Sequence, residues 1–285
     1  MWLSAAFVVV IWSTGFIVGR YIVGDADPNL FLAARFGAAA MLFFIFCRVA
    51  RVPLPKGRNL VPHLVAGAIM NGLYLGISYR AVAHGLPPAV MALIGALQPA
   101  FTAALAAMVL RTRPDKRFFI GFAVALCGVA LVLSPKLRAV EAGVAPGVVA
   151  AGVFAILCLS LGTVMQKRLP LKEDPRASFA LQNVGGAVTC LILAAAFGEH
   201  TFRLTATVVW AWVWAAFVLS GAATFLLIRL VRGFDPARVS TLMLLAPPLA
   251  AVQAYFFFND TLEPIQLAGF AVALLGTAWC RPLKA

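Results

Sequence analysis

The stretch from Pro88 to Leu133 occurs twice in this chain: displaced by 148 positions, without a gap, it falls on residues 236–281. Pro88-Ala89 meets Pro236-Ala237, Pro99 meets Pro247, and GFAVAL at 121–126 meets GFAVAL at 269–274. Gly128 meets Gly276 in the same register. Prolines and glycines set backbone geometry, so their agreement over some forty positions requires a duplicated unit rather than chance among apolar residues. The first part of the unit recurs at an offset of about 147, where Ser13 meets Ser160, Gly15 meets Gly162, Arg20 meets Lys167 and Asp27-Pro28 meets Asp174-Pro175. The chain reads as two copies, 1–135 and 146–281, joined by a linker at 136–145.

Neither copy can bury its apolar surface in a water-soluble core, since 63% of the residues are hydrophobic and 12% are charged. Ten apolar runs are long enough to cross a hydrocarbon layer of roughly 30 Å. They cover 2–22, 29–48, 60–79, 88–110, 118–134, 147–166, 177–197, 207–229, 237–258 and 264–281. The connections leave no room for a soluble domain. The first run lacks a basic leader and a small-residue cleavage site, so it is expected to stay as a helix.

A net charge of +13 would point to nucleic acid in a soluble protein, but its distribution points to a bilayer. Of the 23 Lys and Arg, 17 fall after even-numbered runs or beside the C-terminus, in clusters such as Arg48 to Arg58, Arg111 to Arg117 and Lys167 to Arg176. The other side receives Arg80, Lys136, Arg138 and Arg203. The positive-inside rule then places both termini in the cytoplasm of a bacterial inner-membrane, multi-pass protein. Five spans per copy is an odd number, so the copies cross in opposite directions. The expected fold is an all-α integral membrane protein of ten transmembrane helices, built as two inverted five-helix repeats.

Such repeats put a ligand site near the midplane, where broken helices expose backbone groups. Pro99 in the fourth run and Pro247-Pro248 in the ninth are the expected helix breaks, or else plain kinks. Polar stripes at helical spacing mark candidate lining. Gly67, Asn71, Tyr74 and Ser78 share a face of the third run, Met91, Gly95, Gln98 and Thr102 of the fourth, and Ser178, Gln182, Gly185 and Thr189 of the seventh. Amides and hydroxyls in lipid face either a wet cavity or a neighbouring helix.

Trp12 and Ser13 lie too deep for an interfacial belt, and the Trp12 ring is placed to stack on a flat substrate or to pack against its neighbours. Trp210, Trp212 and Trp214 are expected to be belt residues. The candidate substrate-binding set is therefore Trp12, Ser13, Asn71, Tyr74, Ser78, Met91, Gln98 and Gln182. Tyr79 and His84 are candidate gate residues. Arg35, a charge inside the second run, is a candidate contact for a substrate carboxylate, unless it snorkels or caps helix-end carbonyls.

All ten acids fall in loops or at helix ends, so no span carries a carboxylate for proton or sodium coupling, and transport is expected to be uncoupled. The five cysteines lack metal-ligand spacing and read as small apolar residues, with no metal site and no cofactor. Three scattered histidines and short loops offer no clustered acid or base, which argues against a membrane-embedded lipid-modifying enzyme.

IWSTGF at 11–16, LAARF at 32–36, Gln98-Pro99, the paired Gly121 and Gly128, LAPP at 245–248 and LEPIQLAGFAVALLG at 262–276 resemble the EamA-type branch of the drug/metabolite transporter superfamily over essentially the whole length. Related proteins often carry a glutamate at the ends of helices 4 and 9, where this chain has Arg111-Thr112 and Asn259-Asp260. The resemblance implies alternating access around a cavity enclosed mainly by helices 1, 3, 4, 6, 8 and 9. Within the superfamily the chain is similar to bacterial exporters of aromatic amino acids and paraquat-like compounds. The expected activity is inner-membrane export of aromatic and other neutral amino acids and related small metabolites or drugs. Cationic drugs or nucleobase-like metabolites are the alternative cargo. The expected partners are the lipid bilayer and a small-molecule substrate, the expected state a monomer, and no nucleic acid is expected.

Overall fold

Aspartate and proline set where the second and seventh runs become helical. The computed structural model describes residues 2–95, 97–110, 116–138, 145–166, 174–223, 226, 246–259 and 263–279. Helix α3 spans Pro28–Val49 and helix α10 spans Pro175–Ala196, each 22 residues long with proline in its first turn and an aspartate, Asp27 or Asp174, at its N-cap. Proline is at home there because the first turn has no intrahelical partner for its missing N–H. The Asp174 side chain accepts from Arg176 N–H. Asp27 instead accepts from the backbone N–H groups of His200 and Thr201, at 2.8 and 2.7 Å.

Every long element among the described residues is helical; the β-structure there is an isolated antiparallel bridge between Ala26 and Phe202. The first run is two helices, α1 (Trp2–Ser13) and α2 (Gly15–Tyr21). The third run starts with a 3₁₀ turn and continues as α4 (Leu60–Gly67), a π-helical stretch Ala68–Leu73 and α5 (Tyr74–Ala83). The fourth is split into α6 (Pro88–Gly95) and α7 (Gln98–Leu110). Helices α8 (Lys116–Arg138) and α9 (Pro146–Gln166) follow, then α10. The eighth run is α11 (Ala206–Val213) leading into a second π-helical stretch, Trp214–Ala222. Helices α12 (Ala246–Phe258) and α13 (Pro264–Trp279) complete the described chain.

Four of these stretches, Pro28–Val49, Gly57–Ala83, Pro146–Gln166 and Pro175–Ala196, are long and apolar enough to cross a membrane. Phe7–Tyr21, Phe119–Gly128, Ala206–Ala222 and Pro264–Gly276 are shorter apolar helices. Wide apolar surface remains exposed, including Phe7, Met41, Ile192, Trp210 and Phe256, as a lipid-facing exterior requires.

The helices that correspond in the two copies also pack on each other. In α8 and α13, a Cβ at Gly128 would strike the backbone of Ala273 and Gly269, and one at Gly276 would strike Ala125 and Gly121. Residue numbers rise along one helix as they fall along the other, so the pair is antiparallel. Helices α3 and α10 are antiparallel too: the segment at the start of α3 bonds to Glu199 and His200 beyond the end of α10. The two π-helical stretches occupy matching places, since adding 147 to 68–73 lands inside 214–222.

Between the copies, small residues let backbones approach closely. Gly67 faces the Gln182 carbonyl, Gly185 the Leu64 carbonyl, and Gly72 and Gly186 the side chains of Thr189 and Asn71. The main apolar core gathers Leu86, Met91, Ile94 and Leu97 against Val149, Ala155 and Ile156 of α9. A second core joins Ile11, Val18 and Ile22 to Phe31, Phe36 and Tyr79, with Ala211, Ala215 and Leu219 of the eighth run.

Candidate functional site

Serine and threonine in mid-helix can bond back to carbonyls three or four residues earlier, which weakens the helix where they stand. In the first run both do so. Ser13 Oγ donates to the Val10 carbonyl at 2.7 Å, and Thr14 Oγ1 to the Ile11 carbonyl at 2.6 Å. The helix is interrupted at Thr14, and three side chains from distant runs meet the interruption. The Trp214 indole N–H donates to Thr14 Oγ1 at 3.0 Å. The Tyr79 hydroxyl donates to the Gly15 carbonyl at 2.6 Å. Gln253 Nε2 of α12 donates to the Val10 carbonyl at 3.4 Å.

Arg35 joins this assembly from α3. Its Nε donates to Ser220 Oγ in the π-helical stretch of the eighth run at 3.0 Å, and its Nη1 to Tyr79 Oη at 3.3 Å. The guanidinium carbon lies 5.3 Å from the centre of the Phe36 ring. The side chain is only 7% exposed, and its bonded partners are neutral oxygens. A buried cation held by hydroxyls alone keeps an affinity for an anion. Arg35 and Tyr79 are thus brought together with the Trp12-Ser13 segment. Trp12 itself is 37% exposed, whereas Ser13 is buried.

In the fourth run Leu97 forms a turn just before α7, with Pro99 in that helix's first turn; residue 96 lies outside the described residues. Ser160 Oγ of α9 donates to the Gln98 carbonyl at 3.1 Å, and Gln98 Nε2 reaches Thr163 Oγ1 at 3.5 Å. Ser160 is the counterpart of Ser13. One serine therefore ties down the start of α7 in another run while its mate bonds to its own helix. Pro247 and Pro248 lie in α12, whose described part begins at Ala246; the ninth run before Ala246 lies outside the described residues.

The remaining expected residues are placed elsewhere. Asn71 and Gln182 form a seam between the third run and α10, where Asn71 Nδ2 donates to the Gln182 carbonyl at 3.4 Å. Gln182 is buried, its Oε1 taken by Gln166 at 3.0 Å and its Nε2 bonded to Ser178 Oγ at 2.9 Å. Ser178 Oγ also meets His63 Nδ1 at 2.9 Å. Ser78 Oγ bonds back to the Tyr74 carbonyl at 2.7 Å, and the Tyr74 ring packs on the main core. Met91 is wholly inside that core, beside Gly152. His84 is exposed, with Nδ1 2.8 Å from the Arg80 carbonyl.

Four residues of the assembly escape sequence reading: Thr14, Trp214, Ser220 and Gln253. Trp214 reads as part of a WAWVW belt, and Ser220 and Gln253 are single polar residues among apolar ones. A groove of about 580 Å³ runs between α3 and α10 on the exposed face, from Gly37 and Val188 to Arg48. Its apolar walls suit lipid, and it touches none of the expected substrate residues.

Comparison with known proteins agrees with this architecture. Residues 1–134 and again residues 146–280 match the EamA-like transporter family. The chain belongs to the EamA-like transporter family. This EamA-like protein is 24% identical to a probable amino-acid metabolite efflux pump of Salmonella typhimurium, over 95% of its own length and 91% of the relative's. A protein of the same description from Escherichia coli is 22% identical with the same coverage. The uncharacterized transporter YyaM of Bacillus subtilis is 25% identical over 92% of this chain and 87% of its own. A solved crystal structure superposes with a TM-score of 0.67 over 98% of this chain and 96% of that one, at 18% identity, which speaks for the fold. The drug/metabolite transporter resemblance is thereby established, and with it a role as a membrane transporter.

Proposed function

We propose that this transporter exports aromatic and other neutral amino acids, with related small metabolites or drugs, across a bacterial cytoplasmic membrane. The observation that carries the reading is the interruption of the first run at Thr14, two residues after Trp12, met by Trp214 and by Tyr79 with Arg35 bonded to it. It combines indole surface for an apolar side chain with a buried guanidinium for a carboxylate. The printed descriptions of the Salmonella and Escherichia relatives point the same way. Trp12, Ser13 and Gln98 complete the proposed lining. Asn71, Tyr74, Ser78, Met91 and Gln182 hold the helices behind it, and Tyr79 and His84 serve as gate residues.

The architecture we infer is ten spans in two inverted repeats, 1–135 and 146–281, with both termini cytoplasmic and the monomer as working unit. The antiparallel mate pairs α3/α10 and α8/α13 and the twofold family match support it. A substrate site between two inverted halves is exposed to one side at a time as the halves rock. Transport is uncoupled, in keeping with acids confined to loops and helix ends.

Purified protein in proteoliposomes should carry labelled phenylalanine and tryptophan at the same rate with and without a proton or sodium gradient. Trp12→Ala and Gln98→Ala should each lower that flux about tenfold or more, through lost stacking and a lost amide contact. Flux that requires a gradient would refute the uncoupled mechanism, and unchanged flux in both variants would refute the site.

A further inference from the structure

The Val10 carbonyl already accepts from Ser13 Oγ when Gln253 Nε2 approaches it. That contact fixes which way the Gln253 amide points, because the reverse orientation would set two oxygens face to face. Gln253 Oε1 is left buried, with no donor among the described residues. A buried acceptor without a partner costs free energy, so its retention calls for an explanation.

The surroundings supply one. The Ser13 and Thr14 hydroxyl protons and the Trp214 indole proton are all spent on protein oxygens. Thr14 Oγ1, one proton given and one accepted, keeps a lone pair. The C-terminal end of the 12-residue helix α1 points its carbonyl dipoles at the same place. Trp214, 40% exposed, meets the interruption through its indole N–H on Thr14 Oγ1, and Trp12, 37% exposed, stands two residues before Thr14 in the chain. Unspent oxygens, a negative helix end and two nearby indole side chains favour a cation.

We propose that the interruption at Thr14 is a subsite for the protonated amine of the substrate, with Gln253 Oε1 as its principal acceptor and Trp12 and Trp214 as its aromatic walls. The proposal rests on the exporter reading and deepens it: amines are recognised here, with or without a carboxylate, so cationic drugs share the site with amino acids. Dipoles and ring faces hold the cation with no formal counter-charge among the described residues of the spans, which keeps binding weak enough for release.

Binding is measured by calorimetry on the purified protein in nanodiscs, using 2-phenylethylamine, 3-phenylpropionate and phenylalanine. The amine should bind through Gln253, whereas any binding of the carboxylate, received by Arg35, should be indifferent to Gln253. Gln253→Leu should weaken amine binding roughly tenfold or more, the loss expected of a hydrogen bond to a charged group. Gln253→Glu should tighten it at pH 8 by adding a formal charge, and a gain of affinity cannot come from misfolding. Amine affinity unmoved by both substitutions, or Gln253→Leu weakening 3-phenylpropionate as much as the amine, overturns the subsite. Flux of phenylalanine and tryptophan is measured on the same protein. Amine binding that depends on Gln253 without amino-acid flux would sink the exporter reading and keep the subsite. Flux with binding indifferent to Gln253 would do the reverse.

Discussion

Glu199 lies just past the end of α10 with its side chain 4% exposed, and both carboxylate oxygens are in use. Oε2 accepts from the Asn29 backbone N–H at 2.8 Å, and Oε1 from Asn29 Nδ2 at 2.7 Å and Arg80 Nη1 at 3.3 Å. The Arg80 guanidinium also stacks 4.0 Å from the centre of the Phe197 ring. Glu199 thus caps the first turn of α3 from 170 residues away, a carboxylate at the positive end of a helix. Replacing Glu199 by Gln keeps the shape and removes the charge. A loss of about 1–2 kcal/mol is expected, read as a lower thermal midpoint in detergent.

Asp27 stands beside it. Burial raises its pKa, but hydrogen bonds from the Thr201 and His200 backbone and the nearby His200 outweigh that, and the carboxyl is held below the ordinary 3.8. A depressed folded pKa means that the stabilisation is present above the unfolded pKa and is lost as pH falls through the folded one. The difference in thermal midpoint between wild type and Asp27→Asn should stay level from neutral pH to about 5 and shrink below about 4. A difference that grows on acidification would contradict the assigned bonds. Neither acid is legible as a clamp in the sequence. Each reads as a loop carboxylate, because its partners come from the other half of the chain.

At the scale of elements, helix starts are local and helix interruptions are not. Pro28, Pro146, Pro175 and Pro264 open helices within a residue or two of where the apolar runs begin, since proline's fixed φ and missing N–H act on the chain around it. The turn at Leu97 stands beside Pro99, where the sequence offered either a break or a plain kink. The interruption at Thr14 was not readable, because back-bonding by a serine or threonine is weak and becomes decisive only when Trp214, Tyr79 and Gln253 hold it. The π-helical stretches have no proline to announce them.

Glycine packing carries its own prediction. Gly128→Ala and Gly276→Ala each put a methyl group into the backbone of the opposite helix, so each should lower the thermal midpoint, and by similar amounts because the contacts are reciprocal. The double variant should cost less than the sum, since the first methyl already forces α8 and α13 apart. Full additivity would mean the two glycines do not share an interface.

The whole molecule is organised by the relation between its halves. If the copies are inverted, corresponding loops face opposite sides of the membrane. In a background without cysteine, Arg113→Cys should react with an impermeant maleimide only from the cytoplasmic side, and its repeat mate Thr261→Cys only from the outside. Labelling of both from one side would exclude an inverted arrangement. The halves also differ in detail: Ser160 is bonded to the fourth run, whereas Ser13 is bonded to its own helix. Mates in unlike surroundings are what alternating access between two inverted units requires.

Residue order by itself determined the medium, the duplication and the positions of most helices. Those follow from apolar content, proline and glycine, which act over a turn or two of chain. It also singled out Trp12, Ser13 and Arg35 as polar or aromatic residues inside the spans, and Tyr79 as a gate candidate at the end of the third run. Tertiary structure alone decided which of them meet. It gathered Arg35, Tyr79, Trp214, Ser220 and Gln253 around one interrupted helix and sent Asn71, Met91 and Gln182 to the packing behind it. Helical period states which face a side chain occupies, but not which neighbouring helix that face will find.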